Sequence, residues 1–155
     1  MKAPPLGFVF ECKPIRVLDG DTIEVQTPHL FFPLTLRLVD CWCPESKINA
    51  QIRKRFGVEA ARLEKECGLA SKKALSEMMD KVKSSGVPLR AKIELLPGVP
   101  IMKQNTFDRW PGWLWLPSAP GSLVNEAMVE SGLADATKAD QEKRWIKMYG
   151  KTGAI

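Results

Sequence analysis

Apolar and polar residues alternate with period two through FVFECKPIRVLDGDTIEVQTP, with Ile15, Val17, Ile23 and Val25 on one side and turn chemistry at Asp19-Gly20 between the two runs. That pattern predicts a β-hairpin. HLFFPLTLRLVD repeats the alternation, with Leu34, Leu36 and Leu38 on one face, Thr35, Arg37 and Val39 on the other, and Pro33 confining the start to an edge or bulge. From Phe56 to Val82 the period lengthens. Val58, Ala61, Cys67, Ala70, Ala74, Leu75, Met78 and Val82 recur at helical spacing, which predicts a helix with a break at Gly68 and a stop at KSSGVP. LRAKIELL alternates again as a fourth strand, PGVPIMKQN reads as a loop, and WPGWLWLP as a short aromatic fifth strand. Ser122 opens a short helix through LVNEAMVESG that ends at Gly132. Thr137 and Asp140 then form a capping box ahead of a last helix, QEKRWIKMYG, ending at Gly150.

Length and composition narrow the class. A chain of 155 residues, 45% apolar and 26% charged, fits one globular domain over 1–155, without repeats or low-complexity tracts. The formal net charge of +5 favours a polyanionic partner such as nucleic acid without requiring one. No segment has the length of a membrane span, and the N-terminal apolar run is too short for a signal peptide. The expected address is the cytoplasm, or a host cytoplasm for a phage protein, with no membrane partner. There Cys12, Cys41, Cys43 and Cys67 are expected to be reduced. Cys41-x-Cys43 is a weak metal signal with His29 as the sole imidazole, so buried thiols are expected rather than zinc or a disulfide.

Five motifs then stand in a specific order: VLDGDTIEV, RLVDCWCPE, GLASKKAL, TFDRW and SLVNEAMVESGLA. Together they resemble the staphylococcal-nuclease-like (thermonuclease) family over roughly residues 9 to 149, and an ordered set is far more specific than any single motif. The resemblance implies a five-stranded Greek-key β-barrel of the OB type with two to three packed helices, an α+β fold that commonly presents a strand face and loops to oligonucleotides. It also implies a metal-dependent nuclease, an endonuclease-type hydrolase of DNA or RNA phosphodiesters, with no obligate protein partner.

Carried over residue by residue, the resemblance makes Asp21 a metal ligand, Glu45 the carboxylate that orients or deprotonates water, Arg37 a bidentate phosphate clamp, and Arg109 the second guanidinium at the transition state. The cofactor it implies is calcium, with magnesium or manganese as smaller substitutes. Arginine suits both cationic tasks, because its planar fork donates paired hydrogen bonds to phosphate and keeps its charge. Each residue also has a plainer reading: turn chemistry for Asp19 and Asp21, a barrel-wall position for Arg37, a loop carboxylate for Glu45, a surface base stacked on Trp110 for Arg109.

The sequence departs from the family pattern at three places. Trp42 occupies the position of the second metal-ligating aspartate, with Asp40 two residues earlier. Either Asp40 is a relocated ligand on the same strand face, with Cys43 offering a backbone carbonyl, or Trp42 plugs the site. FDR replaces aromatic-Gly-Arg, which keeps Arg109. The tyrosines that grip the nucleotide in the family are absent from DATKADQ, leaving Trp110, Trp113 and Lys138 as substitutes for nucleic-acid binding, the tryptophans otherwise being core. The alternative function is therefore a catalytically inactive OB-type module that binds nucleic acid or a protein; an accessory protein of a phage is compatible but has no positive signal.

Overall fold

A computed structural model describes residues 7–95, 98, 109–117 and 121–150. Five strands, β1 (Gly7–Asp19), β2 (Thr22–Gln26), β3 (Leu34–Leu38), β4 (Leu89–Glu94) and β5 (Trp110–Trp115), close into a barrel in the order β1-β2-β3-β5-β4. Every pairing is antiparallel except β3 with β5. With its added helices this is an OB-like α+β fold. The expected hairpin is present, with Asp19 facing Thr22, so Gly20 and Asp21 form the turn itself. Register shifts between Pro14 and Arg16 and between Val17 and Asp19 bend β1, and leave Ile15 exposed and Val17 half-buried rather than matched in the core. Most of the predicted PGVPIMKQN loop lies outside the described residues.

The inward residues of the alternating strands form the core. Ile23, Val25, Leu36, Leu38, Leu89, Ala91 and Leu114 are fully buried. Helix α2 (Val58–Ser85) packs Leu75, Met79 and Val82 onto this cluster, and α3 (Val124–Glu130) adds Val124 and Met128. A separate apolar cluster joins α1 (Ala50–Phe56) and α2 to α4 (Lys138–Tyr149), through Ile52, Ala60, Ala61, Trp145 and Tyr149.

The helices differ from the sequence reading in two ways. The break falls at Gly57, not at Gly68, and it separates α2 from α1, a helix the periodicity missed. Asn49 caps α1 by accepting from the N–H groups of Gln51 and Ile52, and Gly57 closes it at φ 99°, a conformation open to glycine. Gly68 instead lies inside an unbroken α2 because the helix touches another segment there: an added Cβ would stand 2.1 Å from the Glu45 carbonyl oxygen. The short helix starts at Val124, with Leu123 rather than Ser122 as its cap. The Thr137 cap is as expected, its hydroxyl accepting from the Asp140 N–H.

Two polar devices fix the frame around the site. Asn125, fully buried, accepts from the Leu114 N–H and donates to the carbonyls of Val39 and Gly112, tying the chain beyond β3 to β5. Glu64, 1% exposed, accepts from Arg144 Nη1 (3.0 Å) and Nη2 (2.7 Å), Trp145 Nε1 (2.8 Å) and the Tyr149 hydroxyl (2.6 Å). Burial pushes its carboxyl up, but these donors outweigh burial and hold it below the ordinary glutamate range. Arg144 also donates to Asp135, so α4 is bound to α2 by charge as well as by apolar contact.

Candidate functional site

The β1-β2 turn and the segment following β3 come together because the turn's aspartates accept from that segment's backbone. Asp21 Oδ2 takes the Cys43 N–H at 3.1 Å, and Asp19 Oδ1 takes both the N–H and the hydroxyl of Ser46. Glu45 is thereby set between two bonded positions, on the hairpin turn. Gly20 permits the approach, since an added Cβ would stand 2.7 Å from Ser71 Cβ and 2.9 Å from Cys43 Sγ.

Beside this turn a cavity of about 460 Å³ is lined by Asp19, Asp21, Arg37, Trp42, Glu45, Lys47, Arg109, Lys138, Gln141 and Trp145, among others. It therefore gathers Asp21, Arg37, Glu45, Arg109 and Lys138 of the residues singled out in the sequence. Arg37 is held from several sides. Its Nη1 donates to the carbonyls of Leu38 and Cys41, its Nη2 lies 3.3 Å from Asp21 Oδ2, and its guanidinium stacks over the Trp42 ring, 5.0 Å from the centroid. Trp42 is itself anchored by paired backbone hydrogen bonds with Asp135, the residue that Arg144 also binds.

The carboxylates carry strain of charge. Burial raises the Asp21 carboxyl above its ordinary range, opposed by Arg37 and by the Cys43 and Thr22 hydrogen bonds, with Asp19 adding to the rise. Glu45 is raised as well, by burial first and then by the negative charges of Asp19 and Asp21, with Arg109 and Lys47 pulling it back. A carboxylate so raised is a stronger base than a solvated one.

No family model and no curated protein matches the chain. The chemistry of the cavity must therefore be read from its own residues.

Two of the residues singled out in the sequence lie outside this cavity. Asp40 does not line the cavity. β3 ends at Leu38 and the chain turns, with Asp40 in the left-handed region at φ 52°, so strand alternation no longer relates residues 40 and 42. Asp40 is exposed, and the charge it meets is that of Glu94, whose carboxyl is raised by burial and then by Asp40. Asp40 therefore lies outside the lining that holds Asp21, whereas Trp42 is part of it. The other is Trp110, which sits half-buried in an apolar groove with Phe8, Phe32 and Ile93.

Calcium takes six to eight oxygens in a flexible cage. Here both Asp21 oxygens already accept hydrogen bonds, and Asp19 accepts from Ser46. Among the described residues no three His, Cys, Asp or Glu side chains form a group that could hold a metal.

Cys41 and Cys43 are buried free thiols with sulfurs 4.0 Å apart, packed into the barrel core. Trp113 is also core, at 3% exposure. The sequence reading missed Gln141 and Trp145, although a signal existed: residues 141, 145 and 149 recur four apart, and all of them are buried along one face of α4. No helix among the described residues is long and apolar enough to cross a membrane.

Proposed function

We propose that this chain is a nuclease of the staphylococcal-nuclease-like kind, hydrolysing phosphodiester bonds of DNA or RNA at the cavity beside the β1-β2 turn. The observation that carries the reading is convergence. Asp21, Arg37, Glu45 and Arg109 come from a hairpin turn, a strand, a loop and the threshold of another strand, and all line one cavity. Each alone has a structural role to play, but a structural role does not require a shared solvent-filled space.

The chemistry follows from the side chains. A water molecule between Glu45 and the phosphate gives its proton to the raised Glu45 carboxylate as its oxygen bonds to phosphorus. Arg109 and Arg37 neutralise the charge that gathers on the phosphoryl oxygens, and the bond to the leaving oxygen breaks. Asp21 orients Arg37 and holds the Cys43 N–H, so it positions the clamp and the Glu45 loop. A divalent cation enters as an assay condition.

A second reading, a nucleic-acid-binding module without turnover, is favoured by the occupancy of Arg37, whose Nη1 and Nη2 already face Leu38, Cys41 and Asp21. Turnover separates the two. Single-stranded DNA and RNA are incubated with the protein in chelator and in calcium, magnesium or manganese. Arg37→Lys and Arg109→Lys, which keep charge but lose the fork, should each lower turnover by about 10²-fold while oligonucleotide affinity changes far less. Equal cleavage by native and variant proteins would overturn the catalytic assignment.

A further inference from the structure

The loop that joins β2 to β3 carries three consecutive apolar residues, Leu30, Phe31 and Phe32, and all of them are exposed, Phe31 fully and Phe32 at 61%. A solvated run of this kind costs free energy unless something covers it. The loop is nevertheless braced. The Gln26 side-chain amide donates to the carbonyls of Thr27 and Leu30 at 2.9 and 2.7 Å, the Leu30 N–H donates to the Thr27 carbonyl at 3.3 Å, and Pro28 and Pro33 restrict the backbone on either side. Phe31 is therefore held out into solvent in a fixed place, and ordering it on binding costs little.

Leu30 and Phe32, on either side of Phe31 in the chain, line an apolar groove of about 260 Å³ whose other walls include Phe8, Leu34, Leu95 and Trp110. Leu34, Leu95 and Trp110 are backed by the barrel core, so the floor of the groove is fixed. Every described residue lining it is apolar, and a phosphate backbone would find no cation there. A projecting ring thus stands beside a hole, on one face and on one loop. That is the self-complementary patch an isologous two-fold interface requires, because each copy supplies both halves of the contact.

We propose that this face binds a second copy of the chain, each copy seating its Phe31 in its partner's groove about a two-fold axis at the loop. With Phe8 at 58% exposure, and about 200 Å² for a phenylalanine, Phe8, Phe31 and Phe32 leave about 450 Å² uncovered per copy. This is the size of a large apolar patch on a monomer, and about half of the roughly 800 Å² per partner that a standard interface buries. The dimer is therefore weak and reversible, micromolar or weaker. The groove shares no described lining residue with the cavity beside the β1-β2 turn, so this inference and the nuclease reading stand or fall separately.

Sedimentation equilibrium of the full chain, from about 1 µM to about 1 mM, tests it. The weight-average mass should rise from 17.3 kDa toward twice that value as concentration increases. Phe31 is fully exposed, so Phe31→Ser leaves the fold intact and should weaken self-association by about 10-fold or more, while Phe31→Leu retains more of it. Val58→Ser, which removes an exposed apolar side chain at the start of α2, should associate as native. Concentration-dependent NMR shifts should fall on Phe31, Leu34, Leu95 and Trp110 and vanish in Phe31→Ser. A native mass that stays at 17.3 kDa throughout, or a Phe31→Ser protein that associates as tightly as native, overturns the proposal. Phe31-dependent binding to phosphatidylcholine vesicles without self-association also overturns it, and gives the loop to a lipid surface instead.

Discussion

Gly68→Ala tests the packing that sets Glu45 in place. Helix α2 passes so close to the site loop that a Cβ at residue 68 would lie 2.1 Å from the Glu45 carbonyl oxygen, 2.4 Å from its carbonyl carbon and 2.8 Å from the Pro44 carbonyl oxygen. Ordinary carbon–oxygen contact begins near 3.3 Å, so helix and loop must separate by roughly 1 Å. The partner is backbone, which cannot swing aside as a side chain can. Alanine in a helix interior gains about 1 kcal/mol over glycine, while overpacking of this kind costs about 1–3 kcal/mol. The net expectation is a loss of about 0–2 kcal/mol in urea unfolding. Turnover should suffer more than stability, because a 1 Å displacement of a catalytic group costs about 10²-fold. A Gly68→Ala protein that is about 1 kcal/mol more stable than native, with native turnover, would mean that helix propensity acts unopposed and that α2 does not brace this loop.

Other expectations follow from the charged groups. Glu64→Gln leaves Arg144 facing a neutral amide in a buried setting and should cost about 3–5 kcal/mol in urea unfolding at pH 7. Because the folded pKa of Glu64 is lowered, its contribution is present above the unfolded value and lost as pH falls through the folded one; the variant's stability should therefore flatten in acid, and a retained acid-dependent loss would point to other groups. Asp21 and Glu45 have the opposite sign. Their folded pKa values lie above the ordinary 3.8 and 4.5, so the stability they contribute is full below those values and lost as pH rises through the raised ones. As the proposed base, Glu45 has to be ionised, so turnover should climb across that same window, above 4.5; a pH–rate profile that is flat there would remove Glu45 as the base.

The barrel was legible because its strands bury one face each: Leu36 and Leu38 point inward, and Thr35 and Arg37 do not. The hairpin turn was legible from Asp19-Gly20. What escaped the pattern depends on contacts distant in sequence. Gly68 looks like a helix breaker until the Glu45 backbone is placed against it, and Asp40 looks like a strand residue until the chain turns after Leu38. The short α1 carries only one fully buried side chain, Ile52, so its apolar periodicity is faint and its caps, Asn49 and Gly57, are the readable signal. Of the residues lining the cavity, Asp21, Arg37, Glu45 and Arg109 were singled out through ordered motifs. Trp42 was seen as an anomaly, but its stacking on Arg37 follows from the Asp135 anchor, which no local pattern encodes. The four-residue recurrence of Gln141, Trp145 and Tyr149 marks a buried helix face, but not the cavity that Gln141 and Trp145 line.

The most direct measurement of the central claim is cleavage and binding of one labelled single-stranded oligonucleotide by native protein and by Glu45→Gln, side by side, in chelator, calcium, magnesium and manganese. Glutamine keeps the size and polarity of Glu45 and removes its capacity to accept a proton. Native protein should cleave in at least one of these conditions, and the variant should lose about 10²-fold or more of that rate while binding the strand as tightly as native or slightly more so. Native protein that cleaves in none of them, or a variant that cleaves as fast as native, would contradict the account.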